Sequence, residues 1–118
     1  MSGDISVSEE YVWPTSSGMF WWIVEYLKER VTDESVWAYA DTDGFEVLKN
    51  FPVYRLPEPG RHEVLRVLAE KVPLAYGAWA RERSSLSEAQ IVGAVHDLEI
   101  LAMMATEVLR ELDGGSAG

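Results

Sequence analysis

The chain has 118 residues, enough to bury one hydrophobic core and too few for two, so a single domain over 1–118 is expected. The absence of cysteine excludes a disulfide frame, a thiolate zinc site and thiol redox chemistry. A formal net charge of −10 argues against direct nucleic-acid or anionic-lipid binding and favours cationic surfaces as partners.

With 47% apolar and 25% charged residues, the composition is that of a folded globular protein, and five Trp argue further against disorder. The polar segments 1–10 and 113–118 are expected to fray. No signal-like pattern opens the chain. The longest apolar run, Met19 to Val24, is far below the ~18 residues of a membrane span, so a cytoplasmic location is the default expectation.

Pro14-Thr-Ser-Ser supplies N-caps for a helix over about Gly18 to Val31. Phe20, Ile23, Val24, Leu27 and Val31 form its core stripe, with Glu25, Lys28 and Glu29 opposite and Trp21 and Trp22 on the borders of the polar face. Two readings of the Trp pair stand. Either Tyr11 and Trp13 fold over it, or at least one Trp anchors a partner protein.

Ser35 to Ala40 alternates and ends in the turn sequence Asp41-Thr-Asp-Gly44, so a β-hairpin returning through Phe45 to Leu48 is expected. Asp43 and Glu46 also fit a capping box, which would make Gly44 to Asn50 a short helix instead. Val53 to Leu56 after Pro52 reads as an edge strand, giving a small antiparallel sheet of two or three strands. Pro57-Glu-Pro-Gly60 then turns into a helix over Arg61 to Val72 and a shorter one over Leu74 to Arg83, where Trp79 and Arg83 sit one turn apart.

The spacing of Ser85 to Glu88 predicts a capping box for a long helix running to Leu112. Ile91, Ala94, Leu98, Leu101, Ala105, Val108 and Leu112 make a coiled-coil-like seam, widened by Val95, Ala102 and Leu109. Ile100, Met103 and Met104 extend apolar surface beyond it and are the candidate oligomer face. The predicted class is therefore α+β, mainly α: an N-terminal helix, a hairpin or three-stranded sheet, then two or three helices including a long C-terminal one.

Motifs for metals and catalysis fail on spacing. Setting Gly44 as the invariant glycine of a calcium loop puts Tyr39 at the first ligand position and Asn50 at the last, both wrong. His62-Glu63 lacks the second zincin histidine, because Arg66 occupies its place. Ser87, His96 and Asp97 offer a nucleophile–base–acid set without an elbow or oxyanion turn. No metal, cofactor or enzymatic activity is expected.

What remains is the pairing of aromatics with acid. Eleven of the thirteen aromatic residues fall between Tyr11 and Tyr54, interleaved with carboxylates. Nucleic-acid surfaces need aromatics beside cations, so this pairing points to a surface that grips a basic protein. The expected face is Trp21, Trp22, Glu25 and Glu29, with Asp41, Asp43 and Glu46 as an acidic rim. The expected function is a non-enzymatic module that inhibits or neutralises a basic partner; were that a nuclease or similar enzyme, the carboxylates would stand where phosphates bind. In overall character the chain is similar to small toxin-immunity proteins and phage-encoded inhibitors, a likeness that no motif carries. Two alternatives remain open: a homodimer pairing through the long helix, and a small-molecule binder with a pocket of Trp13, Trp37, Tyr39 and Tyr54.

Overall fold

In the computed structural model, which describes residues 2–42, 44 and 49–114, five helices accompany a small three-stranded sheet, matching the mainly helical α+β class. Internal contacts divide the chain into two compact units, Met1–Leu65 and Arg66–Gly118.

The first unit is built on strands β1 (Ser2–Ser6), β2 (Val12–Ser16) and β3 (Asn50–Pro52), in the order β2-β1-β3. The segment expected to fray is thus the central strand. Ile5 faces Trp13 across an antiparallel pairing with β2 and Phe51 across a parallel pairing with β3. Its polar composition disguised it, since the small residues serve close packing. A Cβ on Gly3 would lie 2.8 Å from the Phe20 ring, and the buried Ser6 hydroxyl accepts from Asn50 Nδ2 at 3.0 Å. Both edge strands carry a proline, Pro14 and Pro52, where a missing N–H is tolerated and further pairing is discouraged.

Helix α1 (Ser17–Arg30) follows β2 directly, with Ser16 Oγ accepting from Met19 N–H at 3.2 Å as its N-cap. Its expected stripe of Phe20, Ile23, Val24, Leu27 and the following Val31 is buried, and the helix packs on β1 and β2.

Ser35 to Ala40, expected as a hairpin strand, is instead part of helix α2 (Glu34–Thr42). Alternation and helical spacing coincide in this short run, and the preceding cap decides between them. Asp33 Oδ1 accepts from both Ser35 N–H (3.0 Å) and Ser35 Oγ–H (2.6 Å), while the buried pair Val36 and Ala40 lies one helical turn apart. At the end of that helix Gly44 N–H donates to the Asp41 carbonyl at 3.0 Å, with Gly44 at φ +69°. The returning strand or short helix expected over 45–48 lies outside the described residues. Val53–Arg55, expected as an edge strand, is a 3-10 turn, and the sheet is mixed rather than antiparallel because β3 runs parallel to β1. Trp37 ties α2 to the sheet by stacking on Phe51 with centroids 5.7 Å apart and donating Nε1–H to the Val31 carbonyl at 2.9 Å.

Helix α3 (Gly60–Glu70) starts against α2, where a Cβ on Gly60 would collide with Val36. In the second unit, helices α4 (Val72–Arg83) and α5 (Glu88–Gly114) pair across a short connection. A Cβ on Gly77 would lie 3.3 Å from Val95, so the glycine sits at a close approach of the two helices. The capping box of α5 is shifted from its expected place: Ser87 N–H donates to Gln90 Oε1 (2.9 Å) and Gln90 N–H to Ser87 Oγ (3.2 Å). Glu88 pairs instead with Arg81 at 2.8 Å. The seam residues Ile91, Leu98, Leu101, Ala105 and Val108 are buried. Of the C-terminal segment expected to fray, Asp113 and Gly114 are the last residues of α5, and 115–118 lie outside the described residues. Among the described residues, no helix is long and apolar enough to cross a membrane.

Candidate functional site: the outer face of the first helix

Positions 22, 25, 26, 29 and 30 recur at three- and four-residue steps, so they form one continuous strip of α1 opposite its core stripe. Trp22 and Tyr26 stack with ring planes 10° apart and centroids 5.2 Å apart. One turn further, the Arg30 guanidinium lies 3.8 Å from the centroid of the Tyr26 ring, inside cation–π range. Three side chains thus form one ladder along the helix. Glu25 and Glu29 are exposed beside it, and Arg30 Nη1 donates to Glu29 Oε2 at 3.2 Å.

This arrangement refines the expected face. Trp22, Glu25 and Glu29 share the strip, whereas the Trp21 ring turns edge-on to buried Phe20, with centroids 5.3 Å and planes 86° apart. Asp41 is exposed on a different helix, α2, and Asp43 and Glu46 lie outside the described residues. Tyr26 and Arg30 were not expected in the site. The signal for both was their spacing of four and eight residues from Trp22, masked by attention to charge alone.

Chemically, the strip combines rigid aromatic area with carboxylates. An aromatic pair already stacked loses little freedom on binding, and partly covered Trp and Tyr rings are the side chains that dominate protein interfaces. The charge is less uniformly acidic than the sequence suggested, because Arg30 commits part of Glu29, while Glu25 is exposed one turn earlier.

The other candidates separate in space. Ser87 is engaged in the α5 cap and His96 lies nine residues on, about 13.5 Å along the helix axis, beyond reach of a shared reacting atom. His96 Nδ1 stands 3.9 Å from Glu99. His62 Nδ1–H donates to Glu58 at 2.8 Å at the start of α3. Among the described residues, no group of three His, Asp or Glu side chains could hold a metal ion. Of the four residues considered for an aromatic pocket, Trp13 is buried in β2, Trp37 is spent on Phe51 and Val31, and Tyr39 is exposed on α2. Trp79 packs on Tyr76 with centroids 5.7 Å apart. In the candidate oligomer face, Ile100 and Met103 are exposed and Met104 is half-buried.

Glu58 gathers a polar cluster about its carboxylate. It accepts from Arg61 Nη2 (2.8 Å), Arg61 Nε (2.9 Å), His62 Nδ1 (2.8 Å) and His62 N–H (3.1 Å). Partial burial acts to raise its carboxyl pKa, but the hydrogen bonds from His62 and Arg61 together outweigh it and hold the group below its ordinary 4.5. The position of this cluster at the first turn of α3 makes it an N-terminal anchor for that helix.

Comparisons of the chain with protein-family models, curated proteins and solved structures find no significant match.

Proposed function

We propose that the protein is a non-enzymatic binding module that recognises, and by covering it neutralises, a partner protein with a basic surface. The observation that carries this reading is the Trp22–Tyr26–Arg30 ladder with exposed Glu25 and Glu29 beside it. The aromatics supply contact area at low entropic cost. The carboxylates and the net charge of −10 speed encounter with a cationic partner and disfavour acidic ones. Lys or Arg side chains of the partner would meet Glu25 and lie along the exposed ring edges, with Trp22 as the anchor.

A purely local role for the ladder accounts for less. Pairs at four-residue spacing stabilise a helix by only about 0.2–0.5 kcal/mol, which Leu or Met would supply as well as Trp.

Immobilised wild-type protein and the variant carrying Trp22→Ala with Glu25→Lys, each checked for native circular dichroism, test this in extracts of the native host. A basic protein should be retained by the wild type at low salt and released by the double change. Equal retention on both would remove α1 as the binding face.

A further inference from the structure

Helix α5 has 27 residues and α4 has 12, so α5 is longer by about 22 Å at ~1.5 Å per residue. Where α4 begins, a groove of about 690 Å³ opens against α5. Pro73 and Ala69 line one side, Val95 and Ala102 the other. Leu74 and Met103, also in its lining, are the two most exposed large apolar side chains among the described residues, at 79% and 70%. Their coincidence in one groove is the notable fact, because scattered exposed apolar residues need no explanation but a gathered pair beside a concavity does.

The charges around it have one sign in excess. Glu70, Glu99 and Glu107 line the groove with a single base, Arg110, whose Nη1 already donates to Glu107 at 2.9 Å. The Thr106 hydroxyl donates to the Ala102 carbonyl of its own helix, which removes a donor from the wall.

We propose that this groove receives an amphipathic helix of a partner protein, its apolar stripe seated between Leu74 and Met103 and its flanking Lys or Arg residues facing Glu70 and Glu99. Apolar lips standing this far into solvent suit an occupant that lies across them, unlike a small molecule enclosed by its pocket, and a flexible Met is the side chain that adapts to such helices. A second copy of the chain fits poorly. Two-fold pairing of groove on groove would set one acid-rich rim of Glu70, Glu99 and Glu107 against another. The site uses none of the α1 residues, so it stands or falls separately from the reading of that face.

The probe is a fluorescein-labelled peptide of about 18 residues with Leu at i, i+3, i+4 and i+7 steps and Lys elsewhere, beside a scrambled peptide of the same composition. Anisotropy titrations with the full chain should show the patterned peptide binding at least about tenfold tighter than the scrambled one. Leu74→Ser with Met103→Ser should remove that difference, Glu70→Gln with Glu99→Gln should weaken binding and flatten its salt dependence, and Val92→Ser, a change at an exposed apolar residue outside the groove lining, should leave it intact. Leu74 and Met103 are exposed, so their loss leaves the core in place; the Met103 methyl resonance of the wild type, expected to shift on adding the patterned peptide, gives a readout free of any variant. Equal binding of both peptides, indifference to Leu74→Ser with Met103→Ser, or an unmoved Met103 methyl would overturn the proposal. So would a concentration-dependent dimer in light scattering that Met103→Ser dissociates, since the groove would then belong to a second copy.

Discussion

Tyr26 is the middle member of a ladder: its ring lies 10° from parallel to that of Trp22, with centroids 5.2 Å apart, and the Arg30 guanidinium stands 3.8 Å from its centroid. The orientation of Trp22 therefore depends on a residue one turn away. Tyr26→Ala should lower stability by roughly 0.4–1 kcal/mol, from its two pairs at four-residue spacing, with Trp22 and with Arg30. It should also alter Trp fluorescence and weaken partner binding without touching Trp22 itself, whereas Tyr26→Phe should preserve all three properties. Denaturant titration and fluorescence check this.

Gly3 is a steric prediction. A methyl group there meets the Cβ and ring base of Phe20 within 2.9 Å, and those atoms are tied to the α1 backbone rather than to a flexible tip. Gly3→Ala should cost about 1–3 kcal/mol, as overpacking does, although alanine is ordinarily no worse than glycine in a strand. Urea unfolding of the two proteins measures it.

Glu58 should make stability fall in acid. Its carboxyl is held below 4.5 in the folded chain, so the unfolded state binds the proton more readily. Its contribution is complete above pH 4.5 and is lost as pH falls through the lower, folded value. Glu58→Gln should flatten that part of the stability–pH curve, as thermal melts across the acid range would show.

The cap of the long helix separates two serines. Ser87→Ala should destabilise by about 1 kcal/mol, since its hydroxyl accepts from Gln90 N–H, while the exposed Ser85, the expected cap, should tolerate alanine within about 0.5 kcal/mol.

Helical parts were legible where a long apolar period left one solution. The α1 stripe from Phe20 to Val31 and most of the α5 seam follow from spacing alone. The sheet was not legible, for two reasons. Gly3 and Ser6 are small because they are closely packed, and the pairing of Asp4–Ser6 with Asn50–Pro52 is a contact of long sequence separation that no local pattern announces. Ser35 to Ala40 alternates like a strand, yet Asp33 caps it as a helix, and a short run cannot distinguish the two periods. In the site, residue types predicted Trp22, Glu25 and Glu29 together, but the pairing of Arg30 with Glu29 and the side-chain stack needed coordinates. The groove beside Leu74 was hidden entirely, since it arises from the unequal lengths of α4 and α5.

The most direct test of the binding account is calorimetric titration of the basic protein retained by the wild type, at about 0.1 M and about 1 M salt, where the Debye length falls from about 10 to about 3 Å. The account predicts weaker binding at high salt and, for Trp22→Ala with Glu25→Lys, a loss of about 2 kcal/mol or more, roughly thirtyfold in Kd. An unchanged Kd for the double variant at both salt concentrations would contradict it.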